Sequence, residues 1–168
     1  IERVIAGPER KSRLISEEEK RIVAYHEVGH ALVGSLIPGS GKVEKISIVP
    51  RGMAALGYTL QLPTEDRFLM SKEEIEAQIA TLLGGRSAEE LIFGSITTGA
   101  ANDLQRATEL AEQMVTSYGM SHVLGPLAYQ KRQSDFLGGM NSGRSLSPNT
   151  TEMIDKEIKD IVESAHQN

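Results

Sequence analysis

The chain has 168 residues, a formal net charge of -5, four tyrosines, three phenylalanines, and neither tryptophan nor cysteine. That is enough for one domain with a genuine core. The absence of cysteine excludes disulfides, thiolate metal sites and cysteine nucleophiles, and a net acidic chain with few aromatic rings argues against nucleic-acid binding. The longest apolar runs fall far short of the roughly 20 residues of a membrane span, so this piece is expected to be soluble and to make no membrane contact.

Residues 1–15, "IERVIAGPERKSRLI", mix Gly, Pro and charge and read as a linker; starting at Ile1, the chain is expected to be part of a longer protein. Ser16 with Glu19 forms a capping box, acids fill the next positions, and Pro38-Gly39 closes the segment, so "SEEEKRIVAYHEVGHALVGSLI" predicts a helix. Ile22, Val33, Leu36 and Ile37 follow the helical period and share a stripe with His26, Gly29 and His30. "KVEKISIVP" and "LGYTLQLP" alternate and predict two short strands, a hairpin across "RGMAA".

Ser71 and Glu74 cap a second helix, "KEEIEAQIATLLGGRSAEELIFG"; its small residues in "LLGGRSA" point to close packing on another element. "SITTGAAND" reads as a turn and "LQRATELAEQMVTSYG" as a third helix with Leu104, Leu110, Met114 and Val115 as core candidates. "QKRQSDFLGGMNSGRSLSPN" reads as a loop, and "TTEMIDKEIKDIVESAH" as a last amphipathic helix. The fold class is mostly α with a small sheet of two to three strands.

"AYHEVGHALVG" carries the chemistry. His26 and His30, four apart, lie on one helix face and can reach one ion. Zinc accepts neutral imidazole at roughly 2.0–2.1 Å in tetrahedral geometry, and it lowers the pKa of a coordinated water to about 7. Glu27 points to the side, where it can take the water's proton and pass it to the leaving amine. The competing reading is a pair of core histidines bonded to backbone carbonyls, but two adjacent buried imidazoles would each need partners. A catalytic zinc usually has three protein ligands, and a third histidine six residues after the second is missing, because Leu36 stands there. His122 and His166 read as ordinary exposed residues. The carboxylate shortlist is Glu89, Glu90 and Asp103; Asp103 heads a helix, where its ordinary role is a cap or a helix-dipole partner, and Glu89 or Glu90 reads as an exposed first-turn acid or the acid that orients a liganding histidine.

"AYHEVGHALVG", "ISIVPRG", "LGYT", "LLGGRSAEELIFG" and "TTGAANDLQRAT", in this order, resemble the zinc peptidase domain of the FtsH-type membrane-anchored ATP-dependent metalloproteases. The resemblance implies an HExxH zinc-peptidase domain over residues 16–168, shortened at its C-terminus, with residues 1–15 leaving an ATPase module. It implies one Zn2+ held by His26, His30 and Asp103, Glu27 as base, and Glu89 as the partner behind a ligand. Gly52, Met53, Ala54, Leu56 and Gly57 would border the substrate groove, where an extended peptide adds by backbone pairing. The implied activity is endopeptidase cleavage of unfolded or damaged polypeptides. With no G-x-x-x-x-G-K-S/T loop in the chain, ATP would serve only a module outside it. The parent would be a homo- or hetero-hexamer anchored in a membrane, with this domain on the cytoplasmic, stromal or matrix side. The alternatives are a helical assembly module with a closed structural metal, and a zinc hydrolase of small molecules.

Overall fold

A computed structural model of the chain describes residues 16–39, 42–49, 58–62, 69–129 and 146–167. Helix α1, Glu17–Leu36, opens on the expected box: the Ser16 hydroxyl accepts from the Glu19 amide at 3.1 Å, and Glu19 Oε2 accepts from the Ser16 amide at 3.1 Å. Strands β1 (Lys42–Ser47) and β2 (Tyr58–Leu62) pair antiparallel with Ile46 opposite Thr59, and a bulge lies between Val43 and Lys45. Among the described residues the sheet has two strands.

Helix α2, Lys72–Phe93, repeats the capping device at Ser71 and Glu74 and ends at Gly94, whose φ of 64° is the left-handed conformation that lets the chain turn away. It runs unbroken through Gly84 and Gly85. A 3-10 turn over Thr98–Ala100 leads directly into α3, Ala101–Thr116. The expected turn over "SITTGAAND" is therefore shorter than its composition suggests: α3 starts at Ala101, and Asp103 lies inside the first turn instead of capping the helix. Helix α4 spans Pro148–Gln167, and residues 130–145 of the expected loop lie outside the described residues.

The main core joins Ile75, Ile79 and Leu83 of α2 to Ala107, Ala111 and Met114 of α3, with Ile158, Ile161 and Val162 of α4 packed against them. A smaller cluster holds Val115, Leu124 and Ile154. Of the expected α3 core residues, Met114 and Val115 are fully buried, whereas Leu104 and Leu110 are partly buried at the core's margin. Helix α1 behaves differently. Its buried residues are His26, Glu27, Gly29, His30, Ala31 and Gly34, while Tyr25, Val28, Leu32 and Leu36 are exposed. Leu36, expected on the inner stripe, is 71 % exposed. Leu36 is the last residue of α1, beyond the close crossing at Gly29 and Gly84 where α1 meets α2.

Ile79, with no exposed surface, is the test of the main core. Ile79→Ala removes its methyl groups from the centre of the three-helix contact and should destabilise the chain by about 2–5 kcal/mol, read as a lowered urea unfolding midpoint.

Candidate metal centre

Helices α1 and α2 cross at glycines. A Cβ on Gly84 would stand 2.8 Å from the Gly29 carbonyl oxygen, and one on Gly29 would run into the Gly84 carbonyl oxygen and the Ala88 side chain. This is the close packing that "LLGGRSA" suggests. One residue on, Gly85 faces the imidazoles: a Cβ there would lie 2.6 Å from Nε2 of both His26 and His30. The two rings occupy the space a side chain would fill.

The helical repeat brings the rings together edge to face, with centroids 4.6 Å apart. Their outer nitrogens are both committed. Nδ1 of His26 is 2.7 Å from Glu89 Oε1, and Nδ1 of His30 is 2.7 Å from the Thr81 carbonyl oxygen. A carboxylate and a carbonyl both accept, so each Nδ1 carries the hydrogen and each neutral ring turns a lone pair at Nε2 inward. Those two Nε2 atoms are 3.0 Å apart, and Asp103 Oδ2 lies 3.3 Å from one and 3.5 Å from the other. Three acceptors facing one point repel unless a proton or a cation sits among them. Two donors bound tetrahedrally at 2.0–2.1 Å stand about 3.3 Å apart, and the three observed separations bracket that value. The donor set therefore fits a zinc ion in both chemistry and spacing. Among the described residues, His26, His30 and Asp103 form the group of three whose donor atoms converge this way.

The three facing groups also favour a proton among them. Burial by itself would lower the His26 pKa, but its contacts with Asp103 and Glu89 outweigh that and raise it above the ordinary histidine value. Burial would raise Asp103, yet the facing imidazoles of His26 and His30, which donate to it when protonated, hold its carboxyl well below the usual carboxylate range. Glu27 moves the other way: burial pushes its carboxyl up, against a hydrogen bond from Thr59 and the nearby imidazoles of His30 and His26. That direction suits a group that must take up a proton.

Asp103 reaches the site from the first turn of α3, and Glu89 from the late part of α2. Glu89 is 1 % exposed, so it is not an exposed helix acid; its Oε2 accepts from the Thr97 amide at 2.8 Å while Oε1 holds His26. Glu90 is exposed and turns away to His166, with Oε2 3.4 Å from Nε2. His166, expected to be exposed, is half-buried, its Nδ1 3.0 Å from Ser87 Oγ. His122 is exposed. The expected groove residues Gly52, Met53, Ala54, Leu56 and Gly57 lie outside the described residues.

Three contributors escaped sequence reasoning. The Thr81 carbonyl orients His30, Gly85 makes room for both rings, and Thr59 of β2 donates to Glu27. Gly85 alone left a signal, as half of a Gly-Gly pair inside a helix.

The sequence model described as "Peptidase family M41" matches residues 13–168. The chain is 70 % identical to the "ATP-dependent zinc metalloprotease FtsH 4" of Synechocystis sp., with 99 % of this chain and 27 % of the relative covered. It is 62 % identical to the "ATP-dependent zinc metalloprotease FtsH" of Acaryochloris marina, over 99 % of the chain and 26 % of the relative. It is 53 % identical to the protein of the same name from Thermotoga maritima, over 99 % and 28 %. The chain thus spans about a quarter of the length of these curated relatives.

Two outcomes follow from the geometry. An alanine normally stabilises a helix interior by about 1 kcal/mol over glycine; Gly85→Ala should instead lower the unfolding midpoint and abolish zinc binding by titration calorimetry, because the new methyl displaces both rings. Glu89→Gln should keep the fold by circular dichroism and weaken zinc affinity by about 10–100-fold, the range for losing the carboxylate behind a liganding histidine.

Proposed function

The chain belongs to peptidase family M41, and on that premise we propose that it is the proteolytic part of an ATP-dependent, membrane-anchored zinc protease that cleaves unfolded or damaged polypeptides. The convergence of His26 Nε2, His30 Nε2 and Asp103 Oδ2 carries this reading, joined by the buried Glu27 next in sequence to the first ligand. In the proposed site these three side chains hold one zinc, which when bound supplies a Lewis acid and a water of lowered pKa.

The chain's own residues supply the rest. Glu89 and the Thr81 carbonyl fix the tautomer and aim of the two imidazoles. Glu27, its pKa raised by burial, takes a proton from the attacking water on its carboxylate and returns it to the leaving amine nitrogen. Strand β2 pairs with β1 alone among the described residues, which leaves an edge where an extended polypeptide can add by backbone hydrogen bonds. Residues 52–57 would continue that groove.

Residues 1–15 would form the linker from an ATPase module and residues 16–168 the peptidase domain. No helix among the described residues is long and apolar enough to cross a membrane, so anchoring, ATP use and a hexameric ring belong in this reading to the longer parent, with this domain on the cytoplasmic, stromal or matrix side. A purely structural metal would require a fourth protein donor; the converging group among the described residues has three.

Glu27→Gln is the decisive variant. Bound zinc, measured by atomic absorption, should be unchanged, while cleavage of an unstructured casein peptide falls by about 10²–10⁴-fold, the usual contribution of a positioned acid–base group. Cleavage retained at the parent rate would remove Glu27 as the base.

A further inference from the structure

Thr59 stands on β2 opposite Ile46, and its hydroxyl reaches two atoms of a single residue on α1. Oγ1 lies 2.9 Å from Glu27 Oε2 and 3.0 Å from the Glu27 carbonyl oxygen. Glu27 is buried, so a carboxylate oxygen there needs a partner inside the protein. A glutamate side chain otherwise has considerable rotamer freedom, whereas the β-branched threonine is stiff at χ1 and sits on a paired strand. The stiffer partner sets the position of the looser one. Holding Oε2 leaves Oε1 as the oxygen able to meet a water, and the same hydroxyl, beside the Glu27 carbonyl, ties strand to helix at that residue.

From this geometry we infer that Thr59 is a positioning residue for the Glu27 carboxylate, and that it couples the aim of that carboxylate to the strand along which a polypeptide would pair. The inference rests on Glu27 acting as the base. It gives the "LGYT" segment a role distinct from lining a groove: backbone pairing on the side of β2 away from β1 would fix Thr59, and Thr59 would fix the carboxylate. Bound substrate and proton acceptor would then be brought into register by one side chain.

The test compares Thr59→Val, which keeps the shape and removes the hydroxyl, with Thr59→Ser, which keeps the hydroxyl. The zinc-loaded chain and an unstructured casein peptide serve as enzyme and probe. Thr59→Val should lower kcat about tenfold, the scale of one lost hydrogen bond to a charged group, with KM and bound zinc per chain unchanged; Thr59→Ser should restore kcat. Away from activity, urea midpoints of the parent, Thr59→Val, Glu27→Ala and the double variant should be non-additive, because each single variant removes the same interaction. An unchanged kcat in Thr59→Val, a serine variant as impaired as the valine one, a loss of zinc, or additive midpoints would each overturn the inference. If the valine variant does not fold, Thr59→Ala is read against the same outcomes. Collapse of cleavage in Glu27→Gln with full activity in Thr59→Val would remove this inference alone, whereas retained cleavage in Glu27→Gln would remove the base and Thr59's role together.

Discussion

The contact between Gly29 and Gly84, backbone against backbone, governs the rest of the structure. Only with no side chain at that crossing can α1 and α2 come near enough for the rings of His26 and His30 to fill the space beside Gly85. The same approach brings the Thr81 carbonyl and the Glu89 carboxylate within 2.7 Å of those rings. A helix paired this closely buries small and polar residues on its inner face and turns its larger apolar ones outward. Tyr25, Val28, Leu32 and Leu36 form the stripe of α1 turned from that crossing and are exposed, while the large apolar core lies between α2, α3 and α4.

Burying so many polar groups is costly unless each finds a partner. Here the partners form chains. The Thr97 amide holds Glu89, Glu89 holds His26, and His26 faces Asp103. On the other side the Thr81 carbonyl holds His30, and Thr59 holds Glu27. Each chain ends inward on an atom that accepts, and the concentration of lone pairs at the centre makes the arrangement a receptor for a cation instead of a neutral core. The membership in peptidase family M41 and the zinc metalloprotease relatives agree with that electrostatic character.

Division of labour between the elements follows from their stiffness. Helix α1 carries two donors and the neighbouring acid at spacings set by helical geometry. Helix α2 presses from behind and fixes ring orientation. Helix α3 contributes Asp103 from its first turn, where the positive end of the helix dipole favours a carboxylate. The small sheet contributes little to the core, yet its second strand touches the acid directly through Thr59.

Much of this was legible in the sequence because it depends on near neighbours along the chain. Both capping boxes, the strand alternation and the Gly94 stop are local signals. The HExxH spacing by itself puts two imidazoles on one face and Glu27 beside them, since residues four apart on a helix are always one turn apart. What sequence reading alone could not decide was anything set by contact between distant segments. Residue type and spacing left Glu89, Glu90 and Asp103 open, and the family resemblance alone implied Asp103 as a ligand and Glu89 behind one; the packing of α2 and α3 brings Glu89 to His26 across 63 positions and Asp103 across 77. The inward face of α1 was misjudged at Leu36 for the same reason, because a hydrophobic period marks which residues could be buried but not where the neighbouring helix will cross. Helical spacing set His26, Glu27 and His30 within one turn; the glycine crossing and the placement of α3 set the approach of Asp103, the ring orientations and the contact of Thr59 with Glu27.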